Sequence, residues 1–400
     1  MQISRRIAAA AVAGVVALGT ATLAGSTSAA AASGPTTLPT SQFTLSADYH
    51  HYDDVNAALV SKLGTADVDT VMAHANHDRT APDSLGLAGY AGGFKFDSTD
   101  NGDCTNYPQG ISSSRDAVGT TDSGNYDGHQ LILVSWYTTN GCDGAQSRSR
   151  ITLVDWDATY PDKYRKVLLV EPTGSAASPN FKDIPMHAGG ISWYGDYLYV
   201  ADTGHGMRVF NMKKILKTNT GGTAGQIGTT DGKTFYAHNY GYVLPQVGTI
   251  TSHTTSDTPL VWSAISLDRV TRSIVVNEYT CSSGCTDYPN RPARAIRFPF
   301  AAGAPTFTTS TTAIEALQLP WHRLNGVASH NGRWWFNSSG DKKLYYWTPT
   351  GGSKTFGWVG GGESISYWEA AGSDPDLLWS LQETKGHRDV FAVKQAAYGS

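Results

Sequence analysis

Residues 187–212 read HAGGISWYGDYLYVADTGHGMRVFNM. Three short apolar runs follow one another there: Gly190-Ile191-Ser192 with its aromatic pair, then YLYVADTG, then GMRVFNM. Runs this short, closed by Gly, Asp and Asn, read as strands joined by tight turns rather than as helices. The stretch therefore sets a pattern to look for elsewhere in the chain.

The pattern recurs. A small residue, then Ile or Val, then Ser or Ala appears at Gly110-Ile111-Ser112, Gly190-Ile191-Ser192, Ala264-Ile265-Ser266, Gly326-Val327-Ala328 and Ser364-Ile365-Ser366. Each is followed by a second run (QLILVSWY, YLYVADTG, SIVVNEYT, RWWFNSSG, LLWSLQE) and a third (RITLVDWD, GMRVFNM, RAIRFPF, KLYYWTP, DVFAVK). Fourth runs are less regular: KVLLVEP, YGYVLPQ, AIEALQL and KTFGWV. Four strands per repeat is the blade of a β-propeller, so the fold is expected to be all-β with five blades, or six if residues 43–100 build one of their own. The fifth repeat ends after its third strand. GGFKFDS (Gly92–Ser98) is expected to supply the fourth and close the ring, which would cover an open edge. DDVNAALVSKL (residues 53–63) has Val55, Leu59 and Leu63 at helical spacing behind an Asp pair that could cap it, so a short helix is expected outside the ring.

Composition agrees with many short strands. Charged residues make up 16%, below the usual quarter, the net charge is −4, and Gly, Tyr and Trp are plentiful. A nucleic-acid binder would carry a basic excess instead. Arg5 and Arg6, an uncharged Ala- and Val-rich run and the small residues STSAAAAS read as an export signal over residues 1–32, by an undecided route. An N-terminal extension over 33–90 and a propeller over 91–400 are expected to follow. The expectation is a secreted monomer with no membrane attachment after signal cleavage. Export makes disulfides the natural reading of four cysteines: Cys281 with Cys285 around a small loop, and Cys104 with Cys142 around a larger one. A zinc site at Cys281 and Cys285 would lack a second pair at suitable spacing.

HAGGISWYGDYLYVAD resembles blades of NHL, SMP-30-like and streptogramin B lyase-type propellers, where a His-Gly-Ile-type strand start also precedes Gly, an aromatic pair and Val-Ala-Asp. The resemblance implies the fold and a site at the centre of the ring. It implies no substrate.

In such a blade the first strand is innermost, and its start shares one face with the end of the second. That rule gathers Gln109, His187, His322, Asn325 and Glu363 with Asp202, His205, Glu278, Glu383 and His387, accompanied by Arg323 and Arg388. His187 and His322 both follow a proline closely. Trp136, Trp193, Tyr279, Trp321 and Trp368 lie near strand ends and could stack on sugar rings. Three chemistries suit the set. Glycoside hydrolysis would use a carboxyl pair from Glu363, Glu278, Glu383 and Asp202, with Glu363 foremost because GGGESIS places it at an inner strand start. Elimination would use His187 or His322 as base with Arg323 or Arg388 as the cation. A divalent metal in the channel would be held by His187, His322 and a carboxylate. Serine-hydrolase and HExxH patterns are absent from the sequence. The leading expectation is an enzyme acting on a polysaccharide or oligosaccharide, with Gln109, Asn325, Arg323, Arg388, His205 and Trp321 holding the substrate. The alternatives are a non-catalytic propeller binding a glycan or protein, and a lyase or hydrolase of a small molecule such as a lactone.

Overall fold

Leu131, Ile132, Leu133 and Val134 are consecutive and all fully buried. Successive side chains of a strand point to opposite faces, so a strand like this must be covered on both sides. Leu131 and Leu133 enter one hydrophobic core, while Ile132, Val134 and Trp136 enter another. The same division holds for Leu198 and Val200 against Tyr199 and Ala201, and for Trp379 and Leu381 against Leu378. Sheets stacked face to face in a closed series satisfy this requirement.

The computed structural model describes residues 34–142, 144–256, 258–283 and 289–399; the expected export signal and Cys285 lie outside them. Tyr90–Lys95 is β1. Asn106–Ser113, Leu131–Thr139, Gln146–Asp155 and Lys163–Ser175 are β2 to β5. Ile191–Tyr194, Tyr197–Asp202, Gly206–Asn211 and Tyr242–Thr254 are β6 to β9. Trp262–Asp268, Ser273–Glu278, Arg294–Pro299 and Glu315–Gln318 are β10 to β13. Leu324–His330, Arg333–Ser338, Lys343–Thr348 and Gly352–Gly357 are β14 to β17. Gly362–Trp368, Leu377–Gln382 and Asp389–Lys394 are β18 to β20.

Among the described residues these strands form five antiparallel four-stranded units, β2–β5, β6–β9, β10–β13, β14–β17 and β18–β20 with β1; β5 also pairs in parallel with β9, which joins the first two into one sheet, and Thr36–Thr37 adds an edge to β13. The innermost strands touch in the order β2, β6, β10, β14, β18 and back to β2, and five cores lie between successive units. The fold is a β-propeller.

The recurring small residue has a packing reason. A Cβ on Gly110 would lie 2.7 Å from Ile191 N, and one on Gly190 would lie 2.3 Å from Ile265 N. At the glycine positions one inner strand thus meets the backbone of the next where a side chain would stand; Ala264 and Ser364 hold the equivalent places in the other two. The last unit is completed by β1, which pairs antiparallel with β20. Residues 43–100 build no four-stranded unit of their own: Phe43–Asp48 pairs with the outer strand β9 and Tyr90–Lys95 with β20.

Asp53–Leu63 is a helix, α1, whose Leu59 packs on Leu168, Val170 and Val243 of the outer strands. Tyr52 occupies its N-cap without a side-chain bond, so Asp53 and Asp54 sit in the first turn and do not cap it. There they favour the helix through its dipole. A second short helix, α2, spans Val68–Ala73. No helix among the described residues is long and apolar enough to cross a membrane.

Candidate active site at the mouth of the channel

Four of the five inner strands carry a register shift near their start. It falls between Pro108 and Ile111, Trp262 and Ala264, Leu324 and Gly326, and Glu363 and Ser366. A bulge of this kind re-aims the side chains beside it. A polar residue of the second strand faces most of them. Ser135 Oγ accepts from Gly110 N at 2.9 Å and donates to Ala188 O at 2.8 Å. Asn277 Nδ2 donates to Leu324 O at 2.8 Å, and Ser380 Oγ to Ser364 O at 2.9 Å. These bonds satisfy backbone groups that the ladder leaves open. Ser364 holds a φ of +45°, sparsely populated for a residue with a side chain, directly after Glu363.

The bulged residues Gln109, Ser263 and Asn325 line a cavity of about 470 Å³, together with Glu363. His187, Asp202 and Glu383 line it too, with Tyr137, Gln146, Trp262 and Tyr279. The volume falls within the range of small-molecule clefts.

Two carboxyl groups dominate the site. Glu363 is 2% exposed. Burial pushes its carboxyl well above the ordinary glutamate range, and the charge of Glu383 pushes the same way; the Asn325 amide, donating to Oε1 at 2.5 Å, opposes them. Glu383 is also raised by burial, but the Gln109 amide at 2.7 Å from its Oε2 and the charge of Arg388 counteract this. Both carboxyls are thus raised, and of the two only Glu383 has a cation, Arg388, opposing the rise.

His187 stacks on Tyr137 with ring centroids 4.7 Å apart, and Gln146 Nε2 lies 3.0 Å from its Nδ1. Loss of hydration pushes its imidazolium down to about 4, so the ring is neutral near pH 7. With the Gln146 amide donating to Nδ1, the ring proton sits on Nε2. Asp202 is held at the rim by Arg208 Nε at 2.9 Å and by His205, whose own side chain is exposed.

The other residues singled out by sequence stand apart from the cavity. Glu278 is 1% exposed, and its carboxylate accepts from Arg291 and Arg294, each at 2.7 Å, and from Val261 N at 2.9 Å. It is an ion-pair anchor. Trp321 stacks on Tyr345 of β16 with centroids 4.6 Å apart, which draws its loop over the third strand. His322 Nδ1 consequently lies 3.4 Å from Thr280 Oγ1, and Arg323 reaches Asp341 at 3.9 Å. Neither lines the cavity, so His187 and His322 are not brought together there as a metal pair. Among the described residues, the His/Asp groupings able to hold an ion are elsewhere, at His77, Asp97 and Asp100 and at His129, Asp155 and Asp157.

Arg388 is fully buried behind Glu383. It donates to the carbonyls of Asp100, Asp103 and Glu383 and lies over the Tyr107 ring. It positions the wall and does not face the cavity. His387 bonds Asp83 on the surface. Trp136, Trp193 and Trp368 are core residues, which leaves Tyr279 as the one aromatic of the predicted group at the cavity.

Cys104 and Cys142 form a disulfide that ties the residues just ahead of β2 to those just after β3. The second expected pairing involves Cys285, outside the described residues.

No family profile matches the sequence, and no curated protein matches it. Similar solved structures include the PQQ-bound aldose sugar dehydrogenase of Streptomyces coelicolor, at 14% identity, covering 80% of this chain and 98% of that one, with a TM-score of 0.33. The GH43_1 enzyme of Xanthomonas citri is similar at 10% identity, covering 85% and 92%, with a TM-score of 0.34. The β-propeller domain of Cps50 (Swd1) from Myceliophthora thermophila gives 12% identity, 66% and 80% coverage, and a TM-score of 0.27. Likenesses this distant carry no argument about activity, and the site is read from its own residues.

Proposed function

We propose that the protein is an exported glycoside hydrolase acting on a neutral oligosaccharide or polysaccharide at the channel mouth. The observation that carries the reading is the Glu363–Glu383 pair, two half- or fully buried carboxyls in one cavity, both raised by burial, of which only Glu383 has a cation opposing the rise. Glu363, kept protonated by burial, donates its proton to the glycosidic oxygen as the bond to the sugar breaks. Glu383, whose rise by burial is opposed by Gln109 and Arg388, serves as the carboxylate that stabilises the cationic sugar centre and then activates water or bonds to that centre. Asn325 orients Glu363 through one amide atom, and its Oδ1, which has no partner among the described residues, is available to a substrate hydroxyl.

The lining contains no Lys or Arg among the described residues. Elimination at a uronic acid needs a cation to neutralise the substrate carboxylate, so this wall favours an uncharged sugar. A neutral His187 with its ring held down to about 4 is also a weak base for proton abstraction. Export is supported by the Cys104–Cys142 disulfide, since such bonds persist in oxidising compartments.

The test is a panel of neutral and uronic glycans, assayed for new reducing ends and for ultraviolet absorbance of a new double bond, with wild type and Glu363→Gln. Reducing ends from neutral glycans, without absorbance and lost in the variant, are expected. Absorbance rising with the reducing ends would replace hydrolysis by elimination. Equal turnover by the variant would remove Glu363 from the mechanism.

A further inference from the structure

The lower end of the first blade, away from the channel mouth, holds a cluster that the proposed reaction does not use. Tyr126-Asp127-Gly128-His129 is a tight hairpin: Asp127 and Gly128 both have positive φ, and Tyr126 and His129 exchange backbone hydrogen bonds. It fixes His129, 4% exposed, against the end of β4. Asp155 is the last residue of β4 and Asp157 follows two positions later.

One ring nitrogen of His129, Nε2, lies 3.0 Å from Asp69 Oδ1 of α2, and Tyr160 OH donates to the same oxygen at 3.0 Å. A carboxylate at Nε2 fixes the proton there and turns the Nδ1 lone pair the other way. Nδ1 lies 3.6 Å from Asp157 Oδ2 and has no hydrogen-bond partner. Ligand atoms of His129, Asp155 and Asp157 all fall within 4.8 Å of one another.

Asp155 supplies the independent observation. It is 0% exposed, and neither carboxylate oxygen makes a hydrogen bond at ordinary geometry; the Tyr160 backbone N–H and the Asp157 carboxyl approach it only loosely. Among the described residues no Lys or Arg forms an ion pair with Asp69, Asp155 or Asp157; Arg79, whose charge reaches Asp155, stands 3.3 Å from Asp162 and over the Trp156 ring. A buried carboxylate with only a loose donor, a second carboxylate beside it and no cation paired to it is costly, and a bound cation removes that cost.

We propose that His129 Nδ1, Asp155 and Asp157 bind a zinc-type divalent cation, with Asp69 orienting the histidine from behind. One imidazole and two carboxylates leave a fourth tetrahedral position for water. Calcium, which takes six to eight oxygens, is served less well by this set. The cation joins α2, the hairpin and the end of β4, so its role is to clamp the N-terminal extension to the first blade.

The experiment uses the full mature chain, stripped with a chelator and desalted, then titrated with Zn²⁺ by calorimetry and by thermal melting. One equivalent is expected to bind, with a melting rise of a few degrees that saturates at that equivalent. Asp155→Asn should abolish the response, and His129→Gln should weaken binding at least about tenfold. Glu363→Gln, at the channel mouth, should respond as wild type does. Each variant is first melted without metal to establish that it folds; should one not fold, the other decides. No saturable response in wild type, or an undiminished response in a folded Asp155→Asn or His129→Gln, would overturn the proposal.

Discussion

Replacing Gly190 with Ala tests the packing that defines the ring. The added Cβ would lie 2.3 Å from Ile265 N and 2.8 Å from Ala264 Cα. Both are backbone atoms of the neighbouring inner strand, so no rotamer change relieves the overlap and one blade must shift against the next. Inserting a carbon into a packed core costs about 1–3 kcal/mol when side chains absorb it, and a backbone clash belongs at the upper end, about 3 kcal/mol. Unfolding entropy of roughly 2.1 cal/mol/K per residue over Gly34–Ser400 gives about 0.8 kcal/mol/K, so the melting midpoint should fall by about 4 °C. Gly204→Ala is the control: no heavy atom lies within 4 Å of its added Cβ, and its change should stay within about 0.5 kcal/mol. Scanning calorimetry or circular-dichroism melting of the two variants beside wild type reads the difference. A Gly190→Ala protein melting with the Gly204→Ala control would refute the close approach of the inner strands.

Removing the Cys104–Cys142 bond by a double Ser substitution frees a loop of sequence separation 38, worth about 4 kcal/mol of chain entropy at most, so the guanidinium midpoint should fall; an unmoved midpoint would contradict this. Glu278→Gln strands Arg294 in the interior and should cost about 3–5 kcal/mol at neutral pH. Because the Glu278 carboxyl is held below the ordinary glutamate pKa range by Arg291 and Arg294, the stability it contributes is present above about pH 4.3 and is lost as the pH falls through its folded value, so the gap to wild type should narrow in acid. Glu363→Gln should behave in the opposite sense. The Glu363 carboxyl is raised in the folded state, so wild type keeps its full contribution only below about pH 4.3 and loses it as the pH rises. The variant should match wild type in mild acid and melt above it at pH 8, and a variant less stable at pH 8 would contradict the burial argument.

The strands of the blades were legible because both their faces are buried: runs such as LILV and LYVA stand out from the turns between them, and the small residue ahead of each inner strand marks where backbones crowd. The helix over 53–63 and the closing strand near Gly92 were legible for the same local reasons. The bulges were not, because one extra residue at Ser263 or Asn325 leaves the apolar pattern almost unchanged. Their cue is the polar residue opposite, at Ser135, Asn277, Asn337 and Ser380, within otherwise apolar second strands. Position alone could not separate Glu278 from Glu383, since one ends a second strand and the other directly follows one. The difference lies in Arg291 and Arg294, which arrive from further along the chain and neutralise Glu278, while Glu383 meets an amide. The likeness between Pro-Met-His and Pro-Trp-His failed for a similar reason: Trp321 finds Tyr345 to stack on, and His322 follows it away from the cavity. Tyr137 and Gln146 were missed because their place at the cavity depends on their contacts with His187, not on any pattern of their own.

The central claim is that the channel mouth holds two carboxyls of different acidity. Titration of the side-chain carboxyl carbons by ¹³C NMR, with Glu363→Gln and Glu383→Gln proteins to assign the two signals, tests it without knowledge of the substrate. The account predicts that Glu363 stays protonated well above the ordinary glutamate value of about 4.3 and titrates after Glu383. A Glu363 signal that titrates near that ordinary value, or ahead of Glu383, would contradict it.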